Sequence, residues 1–428
     1  MTTGGSVKYV YDEVHGYIPL SGVELRLVDT PTFQRLRRIK QLAQAWFVYP
    51  GAVHTRFSHS LGTMYLMDMI ARKFVRAGIV PRDDVVLLKA AALLHDIGHT
   101  PYSHAIEEYF HERFGVSHED ISYWIVTEDP HIREALSDYG LEPREVAAII
   151  QGRHREVTYN MLISSDLDVD RLDYLLRDAL HTGVKYGLID LHRIVATLSV
   201  GEDGYLTIPE KAVQAAESFY IARLHMYRSV YYHKTITAYQ LLINAIYEGM
   251  SREEGLNQLL NPFSTAEGVR RAVRSGKIFL WDDFLVGGAM NYAVIRGLGR
   301  GELRQLLMAY LSREGYRAVI DRTYFSDEGG DLMRTLSKAA EDLSRALRDA
   351  GISTAEARVY FRTVPVVTEE CVRVALSGGG SVPITKFGPS IIGSLPKYMV
   401  VLRVYSLPRR AEFVRRLAVD LLNHYEGI

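Results

Sequence analysis

The chain has 428 residues, 47% of them hydrophobic and 24% charged, a composition that excludes wholesale disorder and suffices for about two or three folding units. Its 50 lysines and arginines balance 51 acidic residues for a formal charge of -1, so no net basic field exists to hold nucleic acid or an anionic membrane, and any anion site must be local. No run approaches the ~18–20 apolar residues of a membrane span, and Met1 to Val7 carries no apolar signal core; a soluble, cytoplasmic protein is expected.

The pattern predicts a mainly α fold: a helical core, a small hairpin, and a smaller mixed α/β C-terminal domain, divided as 1–49, 50–260 and 261–428. From about Gly22 to His181 apolar residues return at three- and four-residue steps. One helix is predicted from the capping pair Asp83-Asp84 through Leu94 into His95-Asp96, with Gly98 and Pro101 ending it. Another is predicted over about Asn160 to Leu180, where Asp166, Asp170, Tyr174 and Asp178 recur every four residues and share a face. An acidic, glycine-flanked turn at 200–205 predicts a hairpin between 197–199 and 206–208. Helix resumes near Glu210, and Glu217 to Tyr247 is dense in aromatics and carries Arg223, His225, Arg228, His233 and Lys234, a face suited to an anion. Beyond about Asn261 the texture changes, with strands at 358–362 and 398–404 and glycine loops at Gly329-Gly330 and 378–380.

Seven of the 15 histidines (His54, His59, His95, His99, His104, His111, His118) fall within 65 residues, where an even spread would place about two. The single cysteine, Cys371, allows neither an internal disulfide nor a thiolate metal site, so a transition metal would need imidazole and carboxylate ligands. His59, the pair His95-Asp96 and Asp170 are the candidates. A His-Asp pair alone is more often a cap than a ligand set, but here it ends an apolar helix, where buried polar groups need compensation.

Three motifs, Arg56-Phe57-Ser58-His59-Ser60-Leu61-Gly62, His95-Asp96-Ile97-Gly98-His99 and Asp168-Val169-Asp170 with Asp173-Tyr174, follow the order H, HD, D. The sequence thereby resembles the HD-domain phosphohydrolases, and within them the dNTP triphosphohydrolases of the sterile-alpha-motif-and-HD-domain type. The resemblance starts near Lys8, includes 29–37 and 50–52, reaches Tyr231-Tyr232-His233-Lys234, weakens after about Gly255 and returns near 402–405. Because it starts so early, a sterile-alpha-motif domain is expected to be absent.

The resemblance implies an HD catalytic core and one divalent ion on His59, His95, Asp96 and Asp170, with manganese, iron, magnesium, zinc, cobalt and nickel all open. It implies metal-assisted hydrolysis at the α-phosphorus, with Arg56 on that phosphate and His99, His104 and His118 around the scissile bond; His104 is taken as the acid. Glu107 stands where relatives carry aspartate, and Glu119 is expected to orient His118. For substrate, it places Arg171, Tyr174 and Arg223 on the outer phosphates, Gln41, Asp178 and Tyr231 against deoxyribose, and Tyr227 near the base. Arg171 replaces a lysine and Tyr227 a histidine. Lys8, Asp29, Gln34 and Arg37 match a site for an activating guanine nucleotide. His233 and Lys234 match a second activator site, from which Tyr11 and Ser377 depart. The implied partners are a dNTP substrate, a GTP/dNTP activator with magnesium, and further copies of the chain in a dimer or tetramer; nucleic acid and membrane are not expected. Two alternatives stand beside this reading: an HD-domain hydrolase of another nucleotide or phosphoester, and a nucleotide-sensing or nucleic-acid-binding protein.

Overall fold

The computed structural model describes residues 7–327, 330–368 and 371–425. An antiparallel hairpin opens it, Lys8–Asp12 pairing with Gly16–Leu20. Two residues shape the turn: Asp12 Oδ1 accepts the amides of Val14 and His15 at 3.0 and 2.9 Å, and Gly16 takes φ +72°, a conformation that disfavours a side chain. This hairpin precedes the helical tract expected from Gly22 and adds to it.

The fold is mainly α. The helix expected from Asp83-Asp84 spans Asp84–Leu94, and Leu88, Ala90, Ala91, Ala92, Leu93 and Leu94 are all buried, so its end delivers His95 and Asp96 into the interior. It packs on Arg56–Arg76, which also packs on Val169–Thr182. Among the described residues no helix is long and apolar enough to cross a membrane.

The single helix expected over 160–180 is two, Val157–Ile163 and Val169–Thr182. Asp168 causes the break: its carboxylate accepts the amides of Ser165 at 3.0 Å and Arg171 at 2.8 Å, capping the second helix in competition with continuation of the first. Asp170, Tyr174 and Asp178 keep their common face. Asp166 falls in the break, where it accepts from Arg223 at 2.8 Å and from the Thr368 amide at 2.7 Å.

The expected hairpin forms between Ser199–Val200 and Leu206–Pro209, and the latter strand also pairs in parallel with Arg373–Ala375. Beyond Asn261 the chain remains helical over Ala266–Arg274, Asp283–Ile295 and Gly301–Leu311, so the expected strand texture begins only at Arg317. Tyr398–Ser406 is the centre of a three-stranded sheet, antiparallel to Arg317–Ser326 and Ala357–Pro365. It reads as a continuous apolar run because both faces are covered. Val400, Leu402 and Val404 pack under the helices Asp331–Asp349 and Ala411–Leu422, while Met399 and Val401 lie with Leu224, Tyr227 and Tyr232 of the helical core. Residues 378–380 lie in the turn between Arg373–Ala375 and Ser381–Pro383, as expected; Gly329 of the other glycine loop lies outside the described residues.

The Asp166–Arg223 pair ties this sheet region to the helices, with both side chains 2% exposed. Asp166→Ala strands a buried guanidinium and is expected to cost on the order of 3–5 kcal/mol, read as a lowered urea midpoint; an unchanged midpoint would contradict the pairing.

Candidate active site

Three helix ends bring the predicted ligands together. His59 lies in the first turn of Arg56–Arg76, His95 and Asp96 follow Asp84–Leu94, and Asp170 lies in the first turn of Val169–Thr182. His59 Nε2 is 3.2 Å from His95 Nε2, 2.9 Å from Asp170 Oδ1 and 3.6 Å from Asp96 Oδ2. His95 Nε2 is 3.4 Å from Asp96 Oδ1 and 3.5 Å from Asp170 Oδ1. Adjacent donors around an ion at about 2.1 Å stand roughly 3.0–3.4 Å apart; His59, His95 and Asp96 form one group able to hold a divalent cation, and Asp170 joins it through its approach to the two imidazoles.

The orientation of the rings supports the same fit. His59 Nδ1 donates to Asp173 Oδ2 at 2.8 Å, and His95 Nδ1 donates to the Ala92 carbonyl at 2.8 Å. Each bond leaves Nε2 as the nitrogen that faces the carboxylates. Burial opposes charge on His59, yet the bonds to Asp170 and Asp173 prevail and raise it to about 10. His95 is also raised: burial opposes, and Asp96 and Asp170 outweigh it. The centre thus favours positive charge, which a divalent ion would supply.

A second cluster adjoins the first. Glu107 Oε2 accepts from His104 Nδ1 at 2.8 Å, and Glu107 Oε1 accepts from His118 Nδ1 at 2.5 Å and from the His118 amide at 2.9 Å. Burial opposes ionisation of Glu107, but the two histidines hold it far below the usual carboxylate range, and Glu107 in turn raises His118 against its own burial. His99 stacks on His118 with centroids 4.0 Å apart and lies 3.2 Å from Asp96 Oδ1. Burial, then Arg56 and His118, push its pKa well down, and its buried Nδ1 has no hydrogen-bond partner among the described residues. Arg56 links both clusters: Nη1 donates to Asp96 and Nε donates to Ser103 Oγ at 2.9 Å. Tyr102 and Ser103, just before His104, take φ +54° and +51°. This strained backbone is held by Tyr102 N donating to Asp283 at 2.7 Å and Ser103 Oγ donating to the Lys40 carbonyl at 3.0 Å.

Both clusters open on a cavity of about 860 Å³, a size usual for small-molecule sites. Of the residues predicted for substrate, Gln41, Arg56, Tyr174, Asp178, Tyr227 and Tyr231 line it, as do His99, His104, Glu107 and His118. Tyr227 and Tyr231 come from a π-helical turn that follows Val213–Met226. Asp178 accepts from Tyr231 Oη at 2.8 Å and His54 Nε2 at 2.7 Å, while Gln41 Oε1 is buried with no hydrogen-bond partner among the described residues. Tyr360, Arg362 and Thr363 of the C-terminal sheet close another wall, which the sequence reading did not assign.

Three predicted residues stand elsewhere. Arg171 donates to Asp168, and Arg223 donates to Asp166 and the Val366 carbonyl; neither is among the residues lining the cavity, and the Nε of each is buried with no hydrogen-bond partner among the described residues. Glu119 is exposed, and Glu107 rather than Glu119 orients His118; neighbours in a helix diverge in direction.

The expected activator residues form a surface group. Lys8 Nζ lies 3.8 Å from Asp29 Oδ2, Gln34 Nε2 donates to the Val28 carbonyl at 2.7 Å, and Arg37 donates to Gln34 Oε1 at 2.8 Å and covers the Phe57 ring. His233 caps the helix Lys234–Arg252, and Lys234 lies 3.4 Å from Asp321.

Asp173, present in the third motif but assigned no role there, is the residue missed closest to the centre. Besides His59 it accepts from Arg177, four residues on in the same helix, at 2.8 and 2.9 Å. The i,i+4 spacing of Asp173 and Arg177 was the available signal. Gly62 makes room for the pair: a Cβ there would stand 1.9 Å from Asp173 Oδ1.

Comparison with known proteins agrees with this arrangement. Residues 56–178 match the HD domain and residues 189–260 match the HD associated region. The chain therefore carries an HD domain followed by its associated region. An uncharacterised protein of Methanocaldococcus jannaschii is 40% identical over 235 residues, 54% of this chain and 47% of that protein. The deoxynucleoside triphosphate triphosphohydrolase SAMHD1 of Homo sapiens is 32% identical over 266 residues, 54% of this chain and 42% of that protein. The aligned region thus spans about half the length of these curated relatives. A solved phosphohydrolase structure from Bacteroides thetaiotaomicron superposes with TM-score 0.75 at 26% identity, covering 94% of this chain and all of that one.

Gly62→Ala is expected to displace Asp173 and, through His59, weaken Mn²⁺ binding by about tenfold or more, measured by calorimetry; undiminished affinity would show that Asp173 does not hold the centre.

Proposed function

We propose that this chain is a metal-dependent dNTP triphosphohydrolase, cleaving dNTP to deoxynucleoside and triphosphate. The observation that carries the proposal is the set of two imidazoles and two carboxylates beside the Arg56 and histidine cluster in one cavity, and the similarity to deoxynucleoside triphosphate triphosphohydrolases supports it. His59, His95, Asp96 and Asp170 would hold the ion, whose chemistry when bound is Lewis-acid assistance to hydrolysis at phosphorus. Its identity stays open among manganese, iron, magnesium, zinc, cobalt and nickel.

The chain's own groups do the rest. Arg56, held by Asp96 and Ser103, presents positive charge to the α-phosphate. His104 is 64% exposed at the side chain, and with Nδ1 bound to Glu107 it directs Nε2 to the departing 5′ oxygen as general acid. His118 shares the same carboxylate, and His99 stacks behind it. Tyr231 and His54 hold Asp178 as an acceptor for the sugar 3′-hydroxyl, leaving Tyr231 to crowd a ribose 2′-hydroxyl. Asp29 has acceptors for guanine N–H groups and Lys8 and Arg37 have charge for phosphates, so the surface group is read as a GTP activator site in a homo-oligomer.

One observation favours a second reading, hydrolysis of another phosphoester with release of phosphate or pyrophosphate. Arg171 and Arg223, the cations expected on the outer phosphates, are already bound by Asp168 and Asp166.

The product decides. With Mn²⁺ and the four dNTPs, ion chromatography is expected to show inorganic triphosphate that disappears in Asp170→Ala; phosphate or pyrophosphate instead would support the second reading. His104→Ala should lower kcat by roughly 10²–10⁴-fold with the metal still bound, and an unaffected kcat would remove it as the acid. Asp29→Ala is expected to abolish stimulation by GTP; stimulation equal to that of the parent chain would contradict the activator site.

A further inference from the structure

The N-terminal hairpin reaches the metal centre from behind. His15, at the end of its turn, points inward with its side chain 3% exposed, and Nε2 donates to Asp173 Oδ1 at 2.6 Å. Asp173 Oδ2 is the acceptor that orients His59. The same turn is fastened by Arg177, which bridges Asp173 to Asp12 at 2.8 Å and to Glu13 at 2.9 Å. Asp12 in turn shapes the backbone that carries His15, through the amides of Val14 and His15. Asp173 is fully buried and receives donors from three places in the chain: the hairpin, the helix that carries His59, and its own helix.

We propose that His15 is a positioning residue for the metal centre: by fixing Asp173 it sets the ring of His59, so that docking of the hairpin is a condition for tight binding of the ion. The proposal rests on the metal reading of His59, His95, Asp96 and Asp170. Without His15, Asp173 Oδ1 loses its 2.6 Å donor and keeps only the Arg177 Nη2 bond at 2.9 Å, which loosens the carboxylate that directs His59; partners of this kind alter metal affinity by about 10–100-fold. The hairpin also carries Lys8, so a movement of this strand pair reaches the centre through His15 and through the Arg177 bridge.

The test is Mn²⁺ affinity of the metal-stripped full chain, by calorimetry, beside its melting temperature. His15→Ala is expected to bind Mn²⁺ about 10–100-fold more weakly. His15→Gln, whose amide N–H reaches a similar distance, should recover most of that loss, and Tyr17→Ala on the exposed outer side of the hairpin should bind as the parent does. Parent-like affinity in His15→Ala overturns the proposal while leaving the metal reading intact. Equal losses in His15→Ala and His15→Gln, each with an equal fall in melting temperature, overturn it in favour of general hairpin packing. A parent chain that binds no Mn²⁺, or binds it equally after Asp170→Ala, overturns the metal reading and this proposal together.

Discussion

Two imidazole nitrogens that each stand 2.9–3.6 Å from two carboxylates in a largely buried place need positive charge among them. Much of the helical architecture serves that requirement. Three helix ends converge so that His59, His95, Asp96 and Asp170 meet, and outer partners turn each ring. Arg56 and the raised histidines show the same demand for cations from the protein's side. Gly62 leaves the gap in which Asp173 and Arg177 fit behind His59. The four side chains are therefore the edge of a larger buried network that extends to the N-terminal hairpin.

The second half of the chain shapes the cavity rather than the centre. Its sheet lies against Leu224, Tyr227 and Tyr232, and its edge strand offers Tyr360, Arg362 and Thr363 to the cavity wall. One side of the cavity is thus set by residues far along the chain from the motifs. The C-terminal sheet region forms part of the cavity wall as well as packing on the helices.

The candidate ligand cluster was legible as a group of side chains that meet because its signals are local: a His-Asp pair at the end of an apolar helix, an excess of histidine, and a four-residue stripe containing Asp170. The stripe misled at Asp166, since Asp168 spends its carboxylate on capping and breaks the helix there. Arg171 and Arg223 were placed on the phosphates by the resemblance alone; that Asp168 and Asp166 pair with them is a tertiary choice no local pattern announces. Glu119 was preferred for His118 by adjacency, whereas the fold brings Glu107 from the preceding helix. His15 carried no signal, standing apart from the histidine-rich stretch, and only the folded hairpin gives it a role. The same holds for the cavity wall from the C-terminal sheet.

The claim on which the account turns is that these four side chains hold one divalent ion, and anomalous diffraction from crystals grown with Mn²⁺ tests it most directly. A single peak at about 2.0–2.2 Å from His59 Nε2, His95 Nε2, Asp96 and Asp170 is the predicted result. A peak among His99, His104, Glu107 and His118 instead, or none at saturating metal, would contradict it.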